Sequence, residues 1–302
     1  MNASNRAAIF TVLQKVAKKQ FPVVKPPTTR SLLEHVMYAC CLQNSQFDQA
    51  DEAIARIQRS FFDWNEVRVT TAAELADVMG CLNEPMQAAN RLKKTLNSVF
   101  EAHYSFDIDF LKKENLGKAI EILDKGRGVT PFVISYVAQS ALGGHQIAID
   151  EAMIELMYLI GAIDSRESAD FRVPGLERAI PKSQGIEFFS TVHQLAVSHF
   201  SSPFKPEIRK IILSIEPEAK DRFIKRASPT SRTEPKKTTK RSDAEKLPKS
   251  GAGKAEAKSK VTKKRASAEP PTSKRKPGRP KKTVAAAAAK SPTKQLKRKK
   301  PR

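Results

Sequence analysis

The 302-residue sequence is poor in cysteine and has no long apolar run. Its three cysteines, Cys40, Cys41 and Cys81, are odd in number and form no Cys-x-x-Cys pair, which excludes a disulfide framework and indicates a reducing compartment. We expect the thiols to be small apolar core residues. No apolar run approaches the roughly 20 residues that cross a bilayer, so no membrane partner is expected.

Residues 226–302 lack Phe, Trp and Tyr and hold few acidic residues. They carry 27 Lys+Arg against 5 Asp+Glu, so the whole formal net charge of +22 lies there, while residues 1–225 carry 27 charges of each sign. Because such a segment cannot bury enough apolar area to offset its ordering entropy, we predict a disordered tail. The cation excess predicts a polyanion partner, and nucleic acid is favoured over a membrane surface because no lipidation motif or amphipathic anchor is present.

Residues 1–225 show helical periodicity and no convincing strand alternation, which predicts an all-α class. A Pro-rich joint separates an N-terminal segment, 1–28, from a main domain, 29–225, and the tail, 226–302, follows. Thr28 and Thr29 are the expected N-cap of the second helix, and Thr71 with Glu74 predicts a capping box. The predicted helices are 7–19, 32–42, 47–61, 71–79, 86–103, 108–113, 117–123, 130–142, 151–161, 176–179, 186–200 and 206–215.

Two of these helices flank the glycine-bearing turn Gly126-Arg127-Gly128-Val129-Thr130. Such a turn at a helix N-terminus can direct several backbone N–H groups toward a phosphate oxygen. Gly126, Gly128, Val129 and Thr130 are therefore candidate DNA-binding residues. An ordinary tight connection between helices explains the glycines equally well.

Asp150 ends the segment Ile147-Ala148-Ile149-Asp150, directly before an apolar helix. An aspartate at this position is a good N-cap, which stabilises a helix by roughly 1 kcal/mol. A carboxylate beside a DNA groove can instead stabilise the oxocarbenium-like sugar that forms when a base leaves. Asp150 is therefore the candidate catalytic residue, with the N-cap as the structural alternative.

The order helix, Gly-Val turn, helix, "I-A-I-D" and helix resembles the helix-hairpin-helix (HhH-GPD) DNA glycosylases of the endonuclease III type. In that family the pattern is L-P-G-V-G-x-K-T-A, followed about a dozen residues later by V-D. The resemblance covers roughly residues 29–200. It implies a two-lobed all-α fold, double-stranded DNA as the partner, and base-excision repair as the process.

Several positions depart from the family pattern. Phe132 occupies the place of the Schiff-base lysine and Thr130 that of the second glycine of the hairpin. Cys41 or its neighbour stands where the family has a glutamine that fills the space left by a flipped base. The resemblance therefore implies no lyase activity. Since no cysteine follows Cys81, we also expect no iron–sulfur cluster and no other cofactor. Whether the domain is an enzyme stays open: it is a monofunctional glycosylase using Asp150, or a non-catalytic nucleoid or chromatin protein.

Within the tail, the stretch Lys274–Lys282 resembles an AT-hook, and the Lys/Ala/Pro-rich composition resembles the carboxy-terminal domain of linker histones. Gly278 would let the backbone lie in a narrow minor groove while Arg279 enters it, although Pro277 replaces the usual arginine. Chance occurrence in a Lys/Pro-rich stretch is the alternative. The candidate DNA-binding residues here are Arg275, Lys276, Gly278, Arg279, Lys281 and Lys282. We expect a monomeric, intracellular protein associated with the DNA of a bacterial nucleoid or a eukaryotic nucleus.

Overall fold

A computed structural model of the protein describes residues 3–223. The predicted tail, with its AT-hook-like stretch 274–282, lies outside the described residues. Residues 3–223 contain fourteen α-helices, one 3-10 helix (Asp109–Lys113) and no strand. The α-helices in chain order are α1 (Ala3–Gln20), α2 (Leu32–Leu42), α3 (Phe47–Ser60), α4 (Trp64–Val69), α5 (Ala72–Val78), α6 (Pro85–His103), α7 (Leu116–Asp124), α8 (Pro131–Ser140), α9 (Glu151–Leu159), α10 (Ser165–Ala169), α11 (Leu176–Ala179), α12 (Lys182–Ser201), α13 (Pro206–Ile215) and α14 (Ala219–Arg222).

Capping boxes mark the start of several helices. Thr71 and Glu74 form the predicted box at the start of α5. Helix α2 begins at Ser31, whose hydroxyl accepts from Glu34 N at 3.2 Å while Ser31 N donates to the Glu34 carboxylate at 2.7 Å. The prediction of Thr28 or Thr29 as this N-cap was wrong, because the box needs its acidic residue three positions after the cap and only Ser31 has one there.

The helices pack in two groups, each around a buried central helix. The first group comprises α2–α8, and α2 packs against α3, α6 and α8 with ten of its eleven residues buried. The second comprises α1 and α9–α14, and α12 packs against α1, α9 and α13. Both central helices place apolar side chains in the core, out of contact with water.

The cysteines lie in the first group and confirm their predicted role. Cys40 and Cys41 are fully buried, and Cys81 is half-buried. Burial raises the pKa of the Cys40 thiol to about 11 and that of Cys41 well above its usual value. They are therefore protonated core residues. No helix within residues 3–223 combines the length and apolar character needed to span a bilayer.

Candidate nucleic-acid interface and the Asp150 site

Helices α7 and α8, joined by residues 125–130, form the predicted helix-hairpin-helix unit. Gly128 lies in the turn with a φ of 92°, a left-handed conformation that favours glycine. A Cβ at this position would lie 2.6 Å from Lys94 Cβ, 2.9 Å from Arg91 O and 2.9 Å from Thr95 N. The turn therefore packs on α6 so closely that only glycine fits.

Some backbone N–H groups of the hairpin are not used in hydrogen bonds within the described residues. Arg127 N donates to Ser98 Oγ at 3.1 Å, and Val129 N donates to Gly126 O at 3.2 Å. The N–H groups of Gly128 and Thr130 have no acceptor among residues 3–223. Of the four predicted hairpin residues, two thus offer free donors, whereas Gly126 and Val129 shape the turn.

Two cations line a cavity together with Gly128. An open cavity beside the hairpin is lined by Lys94 and Arg127, both exposed, together with Asn97, Ser98, Glu101 and Gly128. Neither cation has a salt bridge within the described part of the chain. Free N–H groups and unpaired cations make this surface suited to an anion.

Thr130 connects the hairpin to the end of α2. Its hydroxyl caps α8 by accepting from Val133 N at 3.3 Å, and it donates to Gln43 Oε1 at 2.9 Å. Gln43 is the C-cap of α2 and is half-buried, whereas Cys41 is fully buried. Gln43 is therefore the side chain at the end of α2 that reaches the hairpin, whereas Cys41 lies in the core.

Asp150 is fully buried and both carboxylate oxygens accept hydrogen bonds. Oδ1 accepts from Met153 N at 3.0 Å, which confirms the predicted N-cap of α9. Oδ2 accepts from Asn44 N at 2.9 Å and from His193 Nε2 at 3.0 Å. Burial on its own would raise the pKa of Asp150, but His193 and these donors outweigh it and hold the pKa below its usual value. The carboxylate is therefore charged and enclosed.

Aromatic rings pack around this buried pair. Phe132 is 2% exposed, and its ring centre lies 5.9 Å from that of His193 and 6.1 Å from that of Phe189. Phe47 also packs against His193, with 5.6 Å between the ring centres. Phe132 thus packs on the histidine that pairs with Asp150, and both the Phe132 and the Asp150 side chains are buried.

Sequence reasoning missed Asn44 and His193 as partners of Asp150. His193 lies 43 residues away on α12, so no local pattern links the two. Asn44 offered a weak signal, because asparagine after a helix end often adopts the left-handed conformation and Asn44 has a φ of 61°. Within residues 3–223, no group of His, Cys, Asp and Glu side chains is placed to hold a metal ion.

No family model and no curated protein matches the chain. Among solved structures, one of endonuclease III trapped as a covalent intermediate with DNA is 15% identical, with a TM-score of 0.51, and the match covers 72% of this chain and 98% of that one. The others include a Helicobacter pylori 3-methyladenine DNA glycosylase bound to ethenoadenine (16% identity, TM-score 0.44, 63% and 95% coverage) and a thermostable thymine-DNA glycosylase (15%, 0.47, 73% and 100%). The first match confirms the predicted fold class: the described part of this chain has the all-α fold of endonuclease III.

Proposed function

We propose that the protein is a non-catalytic DNA-binding protein of a nucleoid or chromatin, built on an endonuclease III-like fold. The observation that carries the proposal is the burial of Asp150, whose oxygens are occupied by Asn44, Met153 and His193. A carboxylate that assists loss of a base must lie within reach of the sugar or of a water molecule. Asp150 acts instead as an anchor between helices.

Phe132 supports the same conclusion for strand cleavage. A lyase forms an imine between an amine and the sugar C1′, and a phenyl ring has no lone pair to supply it. The Phe132 ring is also buried among Tyr136, Phe189 and His193, and none of these three ring neighbours carries an amine. The proposed function therefore needs neither nucleophile nor cofactor.

DNA binding is assigned to two parts of the chain. The N–H groups of Gly128 and Thr130, at the N-terminus of α8, would hold one backbone phosphate, with Lys94 and Arg127 beside them. Residues 226–302, with their surplus of 22 positive charges, would supply most of the affinity through counterion release. Arg279 in the AT-hook-like stretch would enter the minor groove.

Incubation of the full chain with duplexes that each carry one damaged base tests the absence of chemistry. We expect duplex binding with no base released and no adduct trapped by borohydride. Base release by the wild-type chain that disappears in Asp150→Asn would establish a monofunctional glycosylase instead. A trapped covalent adduct would show that an amine elsewhere replaces Phe132.

The hairpin contact is tested by Lys94→Ala/Arg127→Ala. Because both side chains are exposed, the double variant should fold normally and bind a duplex about three- to thirtyfold more weakly in a fluorescence-anisotropy titration. Arg59→Ala/Lys210→Ala, which removes two exposed cations elsewhere, is the matched control. Equal affinity in both double variants would refute the hairpin as a phosphate site.

A further inference from the structure

A cavity of about 750 Å³ lies in the second group of helices and is distinct from the hairpin surface. It is bounded by the start of α1, by the segment 147–149 that leads to Asp150, and by residues 172–179 around α11. Its volume falls within the range of roughly 300–1,000 Å³ that is typical of small-molecule sites. None of the groups assigned above to DNA binding lines it.

Arg6 is the buried polar group of this cavity, with 9% of its surface exposed. Its two terminal nitrogens are occupied: Nη2 donates to both Glu167 oxygens at 2.9 Å, and Nη1 donates to Pro174 O at 3.2 Å. Its Nε–H is buried without an acceptor within the part of the chain that the structure describes. An unmet buried donor costs free energy, so this site favours a ligand that brings an acceptor oxygen.

Arg172 and Arg178 supply further positive charge at the rim. Both are exposed, both line the cavity, and neither has a salt bridge among residues 3–223. Glu177 is the acidic residue of the lining. Guanidinium groups bind oxyanions through paired N–H donors, and a phosphate monoester offers three oxygens where a carboxylate offers two.

The floor of the cavity is apolar. Phe10, Ile147 and Leu176 are buried there, and Ile149 and Val173 are half-buried beside them. A free inorganic ion would leave this surface uncovered. A ligand with a phosphate at the arginines and an apolar ring on the floor would satisfy both parts of the site.

We propose that this cavity binds a nucleoside 5′-phosphate, with the phosphate between Arg172 and Arg178, a sugar or base acceptor toward Arg6 Nε, and the base against Ile147, Ile149 and Leu176. The same chemical group occurs on a free nucleotide and at the 5′ end of a DNA strand. Binding of the free nucleotide does not depend on the hairpin or on residues 226–302.

Calorimetric titration of the full chain with deoxyadenosine 5′-phosphate at physiological salt tests the proposal, with deoxyadenosine as the uncharged probe. We expect binding of the phosphate only. Arg172→Ala/Arg178→Ala should weaken it at least about tenfold, and Arg172→Lys/Arg178→Lys should weaken it less. Arg59→Ala/Lys210→Ala should bind like the wild type. Equal binding by all the variants would place the phosphate on other cations of the chain and overturn the proposal, as would no binding of either probe.

Two further measurements locate the ligand and its source. A photoreactive 8-azido derivative of the nucleotide should label peptides that contain residues 147–149 or 172–179; labelling confined to other peptides would refute the site.

In parallel, the affinities of the protein for DNA strands that end in a 5′-phosphate and in a 5′-hydroxyl are compared. A preference for the phosphorylated end that disappears in Arg172→Ala/Arg178→Ala assigns the site to DNA ends, whereas nucleotide binding without that preference assigns it to the free nucleotide.

Discussion

At the scale of the residue, Asp150 is a fully buried carboxylate whose two oxygens accept hydrogen bonds from three parts of the chain. The side chain caps α9, pairs with His193 on α12 and accepts from the backbone of Asn44 between α2 and α3. All three partners bind a carboxylate that is enclosed and charged. Its contribution is therefore to stability, which mutation can measure.

Replacing Asp150 by Ala should lower the free energy of unfolding by about 3–5 kcal/mol, because it leaves His193 and two backbone donors buried without their acceptor. Asp164→Ala is the matched control: Asp164 caps α10 by accepting from Glu167 N at 2.8 Å but is exposed, so its loss should cost about 1 kcal/mol. Urea denaturation compares the two. Equal losses would mean that burial of Asp150 adds nothing.

His35 makes stability depend on pH in the first group of helices. Burial, together with Arg30 and Lys112, lowers its pKa from 6.5 to about 4, although Glu34 and Asp109 act in the opposite direction. Below pH 6.5 the unfolded chain binds a proton that the folded chain does not bind until about pH 4. The stabilisation from neutral His35 is therefore present above pH 6.5 and lost as pH falls toward 4.

We expect His35 to add about 1.4 kcal/mol per pH unit to the decline in unfolding free energy across that window. His35→Gln should remove this part of the slope in urea denaturation series measured between pH 7 and 4.5. A variant with the same slope as the wild type would contradict the assignment.

At the scale of the element, the hairpin depends on one glycine. Gly128→Ala should destabilise the protein by more than about 2 kcal/mol and weaken duplex binding, because the new methyl group would push the turn away from α6. Gly143 also has a positive φ, of 66°, but nothing lies within 4 Å of its Cβ position. Gly143→Ala should therefore cost only about 1 kcal/mol and leave DNA affinity unchanged. Similar effects of both substitutions on affinity would exclude a role of the hairpin geometry.

Long amphipathic helices were predictable from the sequence, and three of the shortest helices were not. The bounds of α2 and α13 were predicted correctly, as were the caps Thr71 and Asp150. Helices α4, α10 and α14 were missed: each spans six residues or fewer and buries at most one side chain, so the apolar periodicity is weak. Helix α11 is equally short, and its bounds were predicted correctly. Helix α10 nevertheless has the capping box Asp164 and Glu167, a pattern that sequence analysis could have used.

The features of the candidate site also differ in how far they could be predicted from the sequence. The hairpin and the cap at Asp150 involve neighbours in sequence, so their patterns could be recognised. The contacts of Asp150 with Asn44 and His193, and of Thr130 with Gln43, join residues from 43 to 106 positions apart. Only tertiary packing brings these residues into contact, so no periodicity or spacing in the sequence predicts the contacts.

At the scale of the whole molecule, the entire net positive charge lies in residues 226–302 and residues 1–225 are neutral overall, so the proposed DNA affinity should come mostly from residues 226–302. A chain that ends at residue 225 should bind a duplex far more weakly. The slope of log affinity against log salt should flatten by about 0.9 for each phosphate that the shortened chain no longer neutralises. Anisotropy titrations at several salt concentrations measure it, and an unchanged slope would contradict the prediction.

The hydrogen bond from Asn44 N to Asp150 joins the two groups of helices at a point where neither end is exposed. Opening either group alone would leave a charged carboxylate or an amide unpaired in the remaining core, so partial unfolding is penalised. The fluorescence of Trp64, the single tryptophan, reports on α4 in the first group, whereas circular dichroism reports on the helices of both groups. The two signals should therefore follow one denaturation curve, as a single cooperative unit requires.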